Sequence, residues 1–138
     1  MPTAGLVKLC YSGQYTEAEM LHKINGHSGL TAHLGTNDVR EVEQRIAEGD
    51  EKAKLVLDAM IYSIARWLAS LAPTTNGHVD AVILTGAIAH SQYVTEGLRR
   101  RLSYLAPVFV YPGEDELTAL AMNVLRAMRG EQEIKVYS

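Results

Sequence analysis

Cysteine is almost missing: Cys10 stands alone among 138 residues. One thiol builds neither a disulfide framework nor a cysteine-rich metal site. The five histidines never fall in His-x-x-x-His or His-Glu-x-x-His spacing, so a zinc centre has no support. Positive charge is short too, with 13 Lys and Arg against 16 Asp and Glu, a net charge of -3. Nucleic-acid binding usually demands a basic face, and no nucleic-acid partner is expected here. The most basic run, Arg99-Arg100-Arg101, sits in a helical pattern and reads as a solvated helix face.

Other absences narrow the class further. The start, MPTAGLVKL, lacks the basic opening and long apolar stretch of a signal peptide. No apolar run approaches the roughly 20 residues of a membrane helix, so a cytoplasmic protein without a membrane partner is expected. There are no repeats and no low-complexity segments. Gly-x-x-x-x-Gly-Lys-Ser/Thr and Gly-x-Gly-x-x-Gly are missing, as are a Ser-His-Asp elbow and a thiol with a neighbouring base. His33 and His90 have no identifiable acid or base partner and read as structural. Any chemistry must then rest on positioning and electrostatics, which is what phosphoryl transfer requires.

What remains is an ordinary globular composition, 47% hydrophobic and 21% charged, in keeping with one domain. Residues 5–12 form a short helix ended by Gly13. Thr16 with Glu19 makes a capping box for the helix EAEMLHKI, which Asn25-Gly26 stops. In residues 29–38 Leu30, Ala32 and Leu34 alternate with Thr31 and His33, which predicts a strand. Asp38 caps the next helix, ending at Gly49, and Asp50 opens the longest one, 51–71. Its stripe of Val56, Met60, Ile64, Trp67 and Leu71 is widened by Leu57, Ile61 and Leu68, implying burial on more than one side. Pro73 and the polar TTNG end it. Val79 and Ala81 to Leu84 predict a strand, 91–105 a helix, and PVFVYPG (107–113) a second strand. Asp115 starts a last helix, 116–129, with Leu117, Leu120, Ala121, Val124, Leu125 and Met128 inward and Gly130 at its end. Two β–α units in succession predict an α/β domain with neighbouring parallel strands.

Ligands of such sheets sit beyond the carboxyl ends of the strands. Three loops then converge: Gly35 to Asp38, Thr85 to Ala89, and Pro112 to Glu116. Thr85-Gly86-Ala87-Ile88-Ala89 is small enough for close ligand approach, and equally serves as a plain strand–helix corner. In Gly35-Thr36-Asn37-Asp38-Val39-Arg40, Asp38 is explained by helix capping. Arg40 is not: it faces elsewhere, and its planar guanidinium suits a purine face or a phosphate. The acids Glu114, Asp115 and Glu116 complement a helix macrodipole or orient toward Mg²⁺.

Taken in order, SGLTAHLGTNDVREVEQRIAEGDEKAKLVLDAMIYSIAR, VDAVILTGAIAHS and PVFVYPGEDELTALA resemble the C-terminal part of the acetokinase family, most closely its butyrate-kinase members. The likeness extends over nearly the whole chain. It implies a ribonuclease-H-like, actin-like ATPase fold, of which this chain is the C-terminal half of a two-domain carboxylate kinase, a partly parallel sheet flanked by helices. Residues 1–138 are then one nucleotide-binding domain, with the N-terminal domain, its phosphate loops and the catalytic residues outside it. The implied reaction joins butanoate and ATP into butanoyl phosphate and ADP with Mg²⁺. Butanoate is a partner of the full-length enzyme only, the isolated chain is expected to be inactive, and a homodimer is implied.

By similarity, Asp38 and Arg40 match an Asp-x-Arg that contacts adenosine, with Gly35, Thr36 and Asn37 beside them. Thr85, Gly86, Ala87, Ile88 and Ala89 match the adenosine loop, and Glu116, with Asp115 as alternative, matches the magnesium-associated glutamate. The family loop normally reads Thr-Gly-Gly-Ile-Ala. Ala87 replaces its second glycine, a costly change only if that position needs positive φ, at on the order of 1–2 kcal/mol. The resemblance also implies an exposed sheet edge, since preceding strands are missing. Two other readings stand beside it: a non-catalytic dimerisation or interaction module derived from such a kinase, and a kinase for a related short-chain carboxylate.

Overall fold

The structure is a computed structural model that describes residues 3–113 and 116–132, with side chains 116 and 117 outside the description. Helix α1 (Thr3–Cys10) leads into α2 (Glu17–Ile24). The capping box is formed: the Thr16 hydroxyl accepts from the Glu19 amide, and the Glu19 carboxylate accepts from the Thr16 amide at 2.7 Å. Asn25 closes α2.

The expected strand at 29–38 is instead helix α3 (Gly29–Leu34), ended by Gly35 in the left-handed conformation. Leu30 and Leu34 are four residues apart, and packing chose that helical spacing: Leu30 is buried and Leu34 packs against the same core. The loop at 35–38 therefore follows a helix and not a strand.

Helices α4 (Val39–Ala47) and α5 (Glu51–Ser70) begin on Asp38 and Asp50, whose carboxylates accept from the amides of Arg40 and Ala53. Arg45 welds this corner. Its Nε and Nη2 donate to Asp50 Oδ2 at 2.9 and 2.7 Å, while Nη1 donates to the Leu34 carbonyl at the end of α3. A 3₁₀ turn (Ala72–Thr75) follows. Strand β1 (Val82–Gly86) then runs parallel to β2 (Val108–Pro112), with Val82 opposite Val108 and Gly86 opposite Pro112. Helix α6 (Gln92–Leu102) makes the crossover, and α7 (Glu116–Met128) comes last. The two parallel strands among the described residues are those the β–α pattern predicts.

The core lies where α5 meets α3, α4 and α6. The face of α5 that is fully buried carries Ala53, Leu57, Ile61 and Ala65. Val56, Met60, Ile64 and Leu68 pack half-buried against the same core, so the wide stripe meets several neighbours, whereas Trp67 and Leu71, expected inward, are exposed. Glu51–Thr75 also contains an 18-residue window of mean hydropathy 1.4, apolar and long enough to cross a membrane by length and composition. Asp58 and Arg66 interrupt that stretch, and one face of the helix is the core of the fold.

Helix α7 departs as well: Leu120, Ala121, Val124, Leu125 and Met128, expected inward, are exposed. Amphipathic spacing marks an apolar face without specifying what covers it. Leu117 and Asp115, also read as part of that helix, lie outside the described side chains.

Candidate functional site

Two segments far apart in sequence form the walls of one cleft. One is the loop that enters α4. The other is the 3₁₀ turn Ala87–His90, which joins β1 to α6. Between them is a cavity of about 680 Å³, lined by Asn37, Asp38, Val39 and Arg40 on one wall and by Ala87, Ile88, His90 and Ser91 on the other, with Glu43 between. That volume is in the range of small-molecule sites.

On the α4 wall, helix initiation arranges the polar groups. The Thr36 hydroxyl accepts from the Asp38 amide at 3.1 Å, and Asp38 Oδ1 accepts from the Arg40 amide at 2.9 Å. Arg40 does not face elsewhere, as the sequence suggests. It folds back on its own cap, with Nε donating to Asp38 Oδ1 at 3.0 Å and Nη2 to Oδ2 at 2.7 Å. This two-pronged grip fixes the guanidinium plane while leaving the side chain 89% exposed.

The Arg40 guanidinium, followed by the Arg40 amide, lowers the Asp38 pKa to about 2. Because the folded value is depressed below the ordinary 3.8, the contribution of the pair is complete above that value and lost as pH falls through about 2. An NMR titration of Asp38 is expected to show a midpoint near 2. Arg40→Ala should move it part of the way back, since the amide bond of the cap survives. A full return would mean that the cap contributes nothing.

On the other wall, Gly86 turns the chain out of β1 at φ 80°, a conformation open to glycine at little cost. Ala87 does not share it: Asn76 carries the positive φ among the described non-glycine residues. The backbone cost considered for alanine at position 87 is therefore not incurred, and Ala87 lines the cavity. Ala89 is buried and anchors the turn, whereas Thr85 stays in β1 opposite Tyr111. Ser91 caps α6 by accepting from the Val94 amide at 3.0 Å, and its hydroxyl donates to Glu43 Oε1 of α4.

The cleft thus gathers Asn37, Asp38, Arg40, Ala87 and Ile88 from the sequence candidates. Gly35, Thr36, Thr85, Gly86 and Ala89 adjoin these residues in sequence but do not line the cavity. Glu43, His90 and Ser91 also line it, none of them a site candidate from sequence, where His90 reads as structural. Ser91 carried a signal as a helix-start residue, while Glu43 carried none. The third loop is nearby, since the Gly113 amide donates to the Gly86 carbonyl at 3.3 Å. Asp115 lies outside the described residues, and Glu116 opens α7 with its side chain outside them. No group of three His, Cys, Asp or Glu side chains gathers among the described residues.

Known structures share this architecture. The chain superposes on acetate kinase of Porphyromonas gingivalis with a TM-score of 0.73 at 22% identity, covering 91% of this chain and 38% of that one. A propionate kinase of Francisella tularensis gives 0.66 at 24%, covering 85% and 36%. They establish that the chain shares the α/β fold of the matching parts of these two proteins. In sequence, a probable butyrate kinase of Bacteroides thetaiotaomicron is 50% identical over 99% of this chain. Butyrate kinase 2 of Clostridium acetobutylicum is 44% identical over the same share. The chain spans 39% and 38% of the lengths of these two relatives. The acetokinase family profile matches residues 5–107, most of the chain, which therefore belongs to the acetokinase family.

Proposed function

We propose that this chain is the nucleotide-binding part of a butyrate kinase, and that the cleft between α4 and the 87–91 turn holds the adenosine portion of ATP or ADP. The observation that carries the reading is the meeting of two separate loops, 35–40 and 85–89, around one cavity of small-molecule size. Asp38 occupies one edge of the Arg40 guanidinium and holds its plane, which leaves the faces available for stacking on a base. Ala87 and Ile88 supply the opposite apolar surface. Mg²⁺ accompanies the nucleotide in this reading, beside Asp115 and Glu116, which follow β2 in sequence. Butanoate and the phosphoryl-transfer groups belong to polypeptide outside this chain, so ATP and butanoate together give no turnover here.

Calorimetric titration of Mg-ADP tests the site. Weak binding is expected, reduced about tenfold in Arg40→Ala, the equivalent of one lost cation–π contact. No binding, or binding indifferent to Arg40→Ala, overturns the assignment.

One observation favours a second reading, a non-catalytic dimerisation or interaction module. Leu120, Val124 and Met128 are exposed at four-residue steps along one face of α7, and a contiguous apolar face of this kind marks a contact surface. A light-scattering mass of twice the chain, together with a null ADP titration, selects that reading.

A further inference from the structure

We propose that Glu43 and Ser91 are a positioning pair that sets the cleft for its ligand, a role distinct from touching the ligand; this rests on the nucleotide reading of the cleft. The two residues are 48 positions apart, and their bond joins α4 directly to the head of α6. Both are half-buried, which shields the contact from competing water.

Ser91 has two duties at once. Its Oγ accepts from the Val94 amide to start α6, and its proton goes to Glu43. The same atom thus fixes the end of the 87–90 turn to its own helix and to the opposite wall. That turn is 3₁₀, a form with poorer hydrogen-bond geometry than an α-helix, so its placement depends on ties of this kind. Arg40 and Asp38 lie on the N-terminal turn of the helix that carries Glu43. Holding Ser91 to Glu43 therefore holds Ala87 and Ile88 at a set distance from the Arg40 plane. A wall ordered before binding spares the ligand the entropy of ordering it.

Ser91→Asn and Ser91→Asp separate this role from helix capping. Both residues cap helices well. Asparagine also offers an N–H to Glu43, whereas aspartate faces it with like charge. Glu43→Ala removes the acceptor. Without nucleotide, Glu43→Ala and Ser91→Asp are expected to speed amide exchange across 87–91 roughly fivefold, as loss of one hydrogen bond would allow, with Ser91→Asn near wild type. Mg-ADP affinity should fall roughly three- to tenfold in the first two variants and stay within about twofold in Ser91→Asn. The double variant Glu43→Ala/Ser91→Asp should be no worse than the weaker single one, because both break the same bond.

Unchanged exchange in Glu43→Ala, or equal damage from Ser91→Asn and Ser91→Asp, overturns the pairing. Losses that multiply in the double variant also overturn it, since Glu43 would then contact nucleotide on its own account. If wild type binds no ADP, the function proposed above fails, while the exchange comparison still decides whether the pair orders the turn.

Discussion

Leu57→Ala is expected to cost this chain about 2–5 kcal/mol, a large share of the 5–15 kcal/mol that holds a typical domain together. Leu57 is fully buried on α5, at the junction with α3, α4 and α6, so a cavity there has walls fixed on several helices. The urea midpoint should fall with the slope unchanged, which marks a loss of stability without a change in the unfolded state. Trp67, ten positions on, is the control. It belongs to the same helix but is 68% exposed, so Trp67→Ala should cost within about 0.5 kcal/mol. Its fluorescence, the only tryptophan signal in the chain, should be readily quenched by a soluble quencher. Equal costs at positions 57 and 67 would mean that the wrong flank of α5 has been identified as core.

That contrast also shows what a sequence conveys. The apolar residues of α5 are visible at helical spacing, yet the pattern includes Trp67 as readily as Leu57. Which flank is buried depends on partners reached through space, and here α4 and α6 lie over Ala53, Leu57, Ile61 and Ala65. Helix starts were far more legible because capping is local chemistry. Thr16, Asp38, Asp50 and Ser91 each accept a backbone amide two or three residues on. The strand expected over 29–38 fails because Leu30, Ala32 and Leu34 satisfy period two while Leu30 and Leu34 alone satisfy a helical turn. Six residues are too few to separate these, and packing decided.

In the cleft, the resemblance singled out both loops, but their meeting depends on tertiary structure. The turn of Arg40 onto Asp38 requires the geometry of an N-cap, and the Glu43–Ser91 bond spans elements that no local pattern links. The Ala87 question turned on one backbone angle, which composition cannot supply and the fold does.

The second large effect concerns the spacing of the helices behind the cleft. Gly97 is buried on α6, and a Cβ placed there would lie 3.0 Å from Cγ2 and 3.1 Å from Cδ1 of Ile61 on α5. Glycine in a helix interior normally costs about 1 kcal/mol relative to alanine, so helix propensity favours replacing it. Close packing opposes replacement. Ile61 is fully buried and stiff at its branched Cβ, leaving Cγ2 little room to retreat. For Gly97→Val, with two further methyl groups, overpacking should win, for a net loss of about 2–3 kcal/mol. Ile61→Ala alone should cost about 2–5 kcal/mol through the cavity it leaves. Together the two should be less damaging than their sum by at least about 1 kcal/mol, because the valine fills space the isoleucine vacates. Additive costs would show that α5 and α6 do not meet at these positions. Since α5 also packs against α4, the same overpacking should push Ser91 away from Glu43, and Gly97→Val should therefore exchange its 87–91 amides faster, a change that Ile61→Ala in the same chain partly reverses.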